Sequence, residues 1–494
     1  MRLIFSLPLK YPLLLLILAG LFFHPAVAQK KDRNEKIKKN AIEELEQKRD
    51  LYKQMAMDIW NYAELGYQEQ KSTALLQNTL TENEFEVEQG VAGIPTSFVA
   101  SYGTGHPVIA ILAEYDALPG FSQTSAPKRE SKPDSNNGHA CGHHLFGVGA
   151  VAAAIEIKEL IKQNALPGTV KVIGTPAEEG GAGKVYMTRE GIFEGVDAVL
   201  HWHPGNYNAV IGSSTLANIS AKFRFYGSSA HAAGAPDKGR SSLDAVEAMN
   251  HMVNLMREHI PSDNLIHYVI SHGGEAPNVV PDFAESYYYA RSPDKDDVMP
   301  LFERIVATAR GASIGTEVDM DYEVISGSYN ILINAALADV MQKNLEMVGG
   351  VKYTEDEKIY ARELQKTFEF SAPEVESVEE VLPLDNDHGI KGSTDVGDVS
   401  WFVPTVGLMA ATWIAGTPGH SWQAVACGGT DIGIKGMYVA AKTLTATAID
   451  LMKDTALLEK AREEHVKNVG PDFEYKSFVG DRLPPLDYRG KKTE

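Results

Sequence analysis

The sequence predicts an α/β protein: a mixed, mostly parallel sheet in the main domain, with an inserted α+β module. Three observations carry that expectation. Short apolar runs, VIAIL at 108–112 and Val170 to Ile173, alternate with helical patterns, as buried parallel strands do. Between them lies GVGAVAAAIEIKEL (Gly147 to Leu160), a helix rich in small residues, so the unit is βαβ. After about Ser214 the pattern becomes strict alternation, as in ISAKFRFY at 219–226, the mark of strands with one exposed face.

The elements follow in order. Lys39 to about Ala63 is charged and helical, with Ile42, Leu45, Leu51, Met55 and Ile59 near helical spacing. The strand at 108–112, the helix at 147–160 and the strand at 170–173 come next, then a third buried strand from Val196 to His203. The alternating strand at 219–226 is followed by a helix at 242–259 and strands at 265–271, 283–291 and 317–325. Two helices and four strands make an α+β, ferredoxin-like module, placed at 216–327. Helices at 335–347 and 438–452 return to the main domain, which spans 29–215 and 328–455. The tail, 456–494, is charged and ends in DRLPPLDYRGKKTE, the composition of a surface wrap or a frayed end.

Residues 1–28 stand apart. Arg2 and Lys10 precede an apolar run from Leu13 to Phe23, and Ala26-Val27-Ala28 is a small-residue cleavage site. That is an export signal, so the chain is expected to be periplasmic or secreted, with no stable membrane insertion after its removal. The apolar run is too short to span a bilayer comfortably.

The 494 residues carry 46 basic and 66 acidic side chains, a net charge of -20, which argues against nucleic acid as a partner. Hydrophobic residues at 44% exclude a disordered chain. Two cysteines exclude a disulfide scaffold.

Four clusters carry chemistry. In GHACGHH (138–144) a thiol and imidazoles are set among glycines, which suits zinc and its neighbours. In GTPAEEGG (174–181) Glu178 and Glu179 follow a buried strand. Adjacent carboxylates point in different directions, so one can hold a metal while the other serves as base to a water. In DAVLHWHP (197–204) His201 and His203 share one face of a strand, and either offers a ligand. In GTPGHSW (416–422) a Gly/Pro-rich loop presents His420. Together these donors suffice for two metal ions sharing a ligand.

The order HACGHH, TPAEEGG, DAVLHWHP, GSSAHAA, GTPGHSW resembles the aminoacylase/carboxypeptidase superfamily of metallopeptidases over about residues 45–455. Within it the match is to the amidohydrolase branch. The segments AEYDALPG, TPAEEGGAGK, STDVGDVSW and GTPGHSWQ are closest to the B subunits of aminobenzoyl-glutamate hydrolases. The resemblance implies two divalent ions, zinc or manganese, bridged by Cys141. His143 and His203 would complete one ion, Glu179 and His420 the other. It implies Glu178 as general base and proton donor, and Asp116 as the carboxylate that orients a ligand. It favours His203 over His201, six positions after Asp197, and leaves His201 beside the ligands. The inserted module would be a lid that also forms a homodimer. Its His231 would stabilise the oxyanion in the partner's site, while Asn278 and Arg291, and more weakly Arg240, would grip the substrate carboxylate. The implied substrate is a small amide: an N-acyl-amino acid, an aminobenzoyl-glutamate-like compound or a dipeptide. The alternatives are a subunit needing a separate partner chain, or a binding protein. Two residues depart from the pattern. His144 stands where Asp or Asn is common, and would alter polarity near the ligands. Gly419 stands for a larger residue, and would widen the pocket.

Overall fold

The structure is a computed structural model and describes residues 34–384 and 392–490. The export segment expected at 1–28 lies outside them. Among the described residues no helix is long and apolar enough to cross a membrane.

The chain forms β1 (Glu86–Gln89), β2 (Phe98–Thr104) and β3 (Val108–Ala113), then a two-residue ribbon of β4 (Leu118–Pro119) and β5 (Asn137–Gly138). β6 (Gly168–Gly174), β7 (Ala198–Gly205) and β8 (Ala209–Val210) follow. A second sheet takes β9 (Ala217–Tyr226), β10 (Leu265–His272), β11 (Phe283–Ser292) and β12 (Asp319–Ser328), and β13 (Thr405–Ala411) returns to the first.

The larger sheet has the order β1-β2-β6-β3-β7-β13-β8. Its four central strands, β6, β3, β7 and β13, are parallel neighbours, while the pairings of β1, β2 and β8 at the two edges are antiparallel. The parallel strands are the apolar runs seen in the sequence: β3 is buried at every position. Helices on its faces explain why.

The helix expected at 147–160 runs from His143 to Lys162. It starts earlier because Gly142, with φ +80, turns the chain into it, and a Cβ there would lie 2.7 Å from the Pro204 side chain. The early start puts His143 and His144 in the first turn. The helix expected at 39–63 is two helices, 34–47 and Arg49–Tyr62. Lys48, with φ -93 and ψ 14, leaves the helical range between them, and its Nζ reaches Glu156 Oε2 at 3.3 Å.

The inserted segment runs strand, helix, strand, strand, helix, strand, with sheet order β10-β11-β9-β12, a ferredoxin-like arrangement. Helices Ser242–Met256 and Lys295–Thr316 cover one face of this sheet. Phe223, Phe225, Met249, Val253, Tyr288 and Ile305 form a core separate from that of the larger sheet. The other face presents Lys222, Arg224, Tyr287, Tyr289 and Arg291 to a cavity shared with the larger sheet.

Candidate metal centre and substrate cavity

Every expected ligand collects at the C-terminal ends of the parallel strands, where open α/β sheets place their sites. Asp116 follows β3, Glu178 and Glu179 follow β6, His203 lies near the end of β7, and His420 comes after β13. Cys141 and His143 stand at the start of the helix that follows the β4–β5 ribbon.

The ligand atoms of Cys141, His143 and His203 lie within 4.8 Å of one another, and so do those of Cys141, Glu179 and His420. A third set joins His143, Glu178 and Glu179. Cys141 is thus common to two sets, and its Sγ is 3.3 Å from His203 Nε2.

Hydrogen bonds fix which imidazole nitrogens are free. Nδ1 of His143 lies 2.8 Å from Asp116 Oδ1, and Nδ1 of His203 donates to the Pro204 carbonyl at 2.7 Å. That leaves Nε2 of His203 facing Cys141 Sγ, and Nε2 of His143 facing Glu114 Oε2. The second Asp116 oxygen accepts the Glu179 N–H at 3.0 Å, so one carboxylate positions residues of both sets. Burial works to raise the Asp116 carboxyl, but His143 and that N–H outweigh it and hold it below the usual range.

These residues fit a metal. Nε2 of His143 and Oε2 of Glu114 are buried, 3.2 Å apart, and neither has a hydrogen-bond partner. With Nδ1 engaged by Asp116, this nitrogen and this carboxylate oxygen face each other across a gap that a positive charge must bridge, either the imidazolium proton or a metal ion. Oε1 of Glu179 is also buried without a hydrogen bond, 3.0 Å from His420 Nε2. Burial pushes the Cys141 thiol above the usual range, and holds His203 down at about 4, so the ring is a neutral donor. Burial, reinforced by Glu114 and Glu179, pushes the Glu178 carboxyl well up, the direction a proton-transfer group needs.

The chain stores backbone strain beside these ligands. Ala177 (φ 58), Ala182 (φ 55) and His420 (φ 53) are non-glycine residues in the left-handed region. Ala177 is held there by Glu69, whose Oε1 accepts its N–H at 2.9 Å. Glu69 is fully buried, and burial followed by the Asp116 charge raises its carboxyl to about 8.

A buried ion cluster backs the site. Lys184 is wholly buried, its Nζ 2.6 Å from Glu114 Oε1 and 2.8 Å from Asp395 Oδ1. Burial opposes its charge, but Asp395 and Glu114 hold the ammonium above the usual lysine range. Sequence reasoning missed Glu69, Glu114, Lys184 and Asp395 as members of the site. Glu114 and Asp395 stand inside AEYDALPG and STDVGDVSW, and proximity to Asp116 was the one available signal for Glu114.

The remaining expected residues divide. His201, held near 3 by burial, lines the cavity on β7 and lies against Gly407, where a Cβ would meet its ring at 2.2 Å. Arg291 also lines the cavity. His144 does not lie against the ligands: its Nε2 bonds the Gly428 carbonyl at 3.0 Å and its ring packs on His139, because adjacent helical residues point about 100° apart. His231, Asn278 and Arg240 do not line the cavity of their own chain. His231 pairs with Val279, Asn278 accepts the Ala232 N–H through its backbone carbonyl, and Arg240 Nε binds Glu317 at 2.7 Å on the surface. A Cβ at Gly419 would meet Trp413 at 3.8 Å, so space does not demand glycine there. Cys141 and Cys427 are both free and buried.

The cavity above the ligands has a volume of about 930 Å³ and is walled by both sheets. The C-terminal segment supplies a further wall, through Arg482, Pro485, Asp487, Tyr488 and Arg489.

The family model described as peptidase family M20/M25/M40 matches residues 110–408. The B subunit of the p-aminobenzoyl-glutamate hydrolase of Escherichia coli is 38% identical over 447 residues, 85% of this chain and 93% of that protein. The Xaa-Arg dipeptidase of Mus musculus is 29% identical, over 87% of this chain and 92% of that protein. Two solved structures share the fold. A dinuclear metal-binding peptidase of the M20 family from Bacillus subtilis has a TM-score of 0.56 at 18% identity, covering 82% of this chain and 98% of that one. An aminobenzoyl-glutamate utilization protein from Klebsiella pneumoniae has a TM-score of 0.58 at 19% identity, covering 83% and 97%. With more than half of its length matched by the family model and its candidate ligands gathered at one end of the parallel strands, the chain is a hydrolase that belongs to peptidase family M20/M25/M40.

Proposed function

We propose that this protein is a two-metal amidohydrolase that cleaves an amide whose amine half is an amino acid. The substrates in this reading are N-acyl-amino acids, aminobenzoyl-glutamate-like compounds or dipeptides, and the ions are zinc or manganese. The observation that supports it best is the pair of ligand sets sharing Cys141, with Glu178 beside them. Cys141, His143 and His203 would hold one ion, and Cys141, Glu179 and His420 the other. Bound there, the ions would polarise the scissile carbonyl and acidify the attacking water.

The chain's own residues do the rest. Glu178 takes the proton of the water and returns it to the departing nitrogen. Asp116 keeps the His143 ring and the Glu179 backbone in place. Arg291 binds the carboxylate of the amino-acid half. His231, on the module's surface, reaches the oxyanion of a second copy in a homodimer. A partner chain of another kind is the alternative, since the relatives include a B subunit and a homologue of an A subunit of p-aminobenzoyl-glutamate hydrolase. Residues 1–28 direct export.

The test is hydrolysis of an amide panel by the chain from residue 29, with zinc or manganese, with chelator, and as Glu178→Gln. Chelator-sensitive cleavage lost by about 10²–10⁴-fold in the variant is expected. Cleavage that survives both treatments would overturn the mechanism.

A further inference from the structure

The C-terminal segment does more than cover the surface. It is docked along its length by specific contacts. The Tyr475 hydroxyl donates to Asp398 Oδ1 at 2.7 Å, and the Tyr329 hydroxyl donates to the Lys476 carbonyl at 2.6 Å. Phe478 packs on Tyr329, ring centroids 4.6 Å apart. Arg482 binds Glu323 on β12 at 2.6 Å, which ties the segment to the inserted module. Further on, Tyr488 stands edge-on to Tyr67 and donates to the Glu179 carbonyl at 3.0 Å. Arg489 Nη2 donates to the same carbonyl at 2.5 Å. A Cβ on Gly66 would lie 2.3 Å from the Tyr488 hydroxyl, so the seat is shaped for the tyrosine.

This docking leaves two guanidinium groups in the cavity without a carboxylate. The other cations of the wall are neutralised: Lys222 by Glu285, Arg224 by Glu285 and Glu323, Arg482 by Glu323. Among the described residues, Arg291 and Arg489 have no such partner, and the Nε of each is buried without a hydrogen bond. Asp487 also lines the cavity, but it is exposed. Arg291 comes from the module, and Arg489 from the segment beside the metal ligand Glu179. Each guanidinium is half-buried with its Nε–H sealed from water and unbonded, and a planar carboxylate relieves that cost with two parallel bonds.

We propose that the C-terminal segment builds a second carboxylate subsite anchored by Arg489, and that the substrate is an N-acyl or N-aroyl derivative of an acidic amino acid. Arg291 takes one carboxylate and Arg489 the other. The proposal rests on the amidohydrolase reading for the amide, but the subsite itself can be tested without turnover.

Calorimetry on the zinc-loaded chain from residue 29 would compare glutamate with its neutral isostere glutamine. Hydrolysis would compare 4-aminobenzoyl-glutamate with 4-aminobenzoyl-glutamine. The wild type is expected to prefer glutamate in binding by about tenfold or more, as sites built for a charged group do. Arg489→Gln should collapse that ratio, and Arg489→Lys should keep part of it. A purely structural prop on the Glu179 carbonyl would weaken both ligands alike and leave the ratio unchanged, which would overturn the subsite. Absence of any glutamate preference in the wild type would overturn it too. A preference that depends on Arg489 with no cleavage of either amide would support the subsite and sink the amidohydrolase reading. Cleavage of both amides at equal efficiency would do the reverse.

Discussion

Nδ1 of His143 lies 2.8 Å from Oδ1 of Asp116, and the other oxygen of that carboxylate holds the Glu179 backbone at 3.0 Å. One side chain therefore orients residues of both ligand sets. Asp116→Asn offers an amide NH₂ where one of the two donors now points. Metal affinity should fall about 10–100-fold. Competition against a chromophoric chelator measures it, with circular dichroism showing that the fold remains.

Metal uptake should release protons. Burial pushes the Cys141 thiol above its usual range, so at neutral pH it enters the site protonated and binds as thiolate. Affinity is therefore expected to rise with pH. Calorimetry in buffers of different ionisation enthalpy should find about one proton more released by wild type than by Cys141→Asp, whose carboxylate is already ionised. Equal proton release would show that the thiol is not a ligand.

Lys184 neutralises two buried carboxylates at once. Lys184→Met leaves Asp395 buried without a counter-charge and Glu114 with His143 alone beside it, and should cost about 3–5 kcal/mol in urea unfolding. Adding Asp395→Asn to that variant should recover part of the loss, because one orphaned charge is removed.

Asp398 gives stability a pH dependence. Burial raises its carboxyl to about 7, despite the bonds from Tyr475 and the Tyr329 N–H. The folded state thus binds a proton that the unfolded chain, near 3.8, has released. Its contribution is full below about pH 4 and is lost as pH rises through 7. The stability advantage of wild type over Asp398→Asn should shrink by roughly 2–3 kcal/mol between pH 5 and 8, read from paired unfolding curves.

The sequence was legible where a local pattern has one physical cause. Short apolar runs that alternate with helical patterns mark buried parallel strands, and β3, β6 and β7 lie where those runs predict. Strict alternation marked β9 and β11 in the same way. Cys141 and His143 stood out as metal donors set among glycines, whereas the choice of Glu179 over Glu178 and of His203 over His201 came from the family resemblance. The ion cluster was not legible, because a lysine in GAGK looks solvated until the fold sets it against Glu114 and Asp395. Glu69 was hidden for the same reason: its partner, the N–H of Ala177, is a backbone atom 108 residues away. The C-terminal segment was misleading in composition. Prolines and charges suit a solvent-facing wrap, yet Tyr488 and Arg489 face inward because Gly66 and the Glu179 carbonyl leave a seat for them.

That seat has a consequence for how the protein is made. The Glu179 carbonyl waits 309 residues for Tyr488 and 310 for Arg489. A ribosome can deliver every candidate metal ligand through His420 before the cavity has its last wall, so the cavity is finished late in synthesis. Loss of Tyr488 and Arg489 alone would open that wall beside the Glu179 carbonyl while leaving the residues from Cys141 to His420 in the chain.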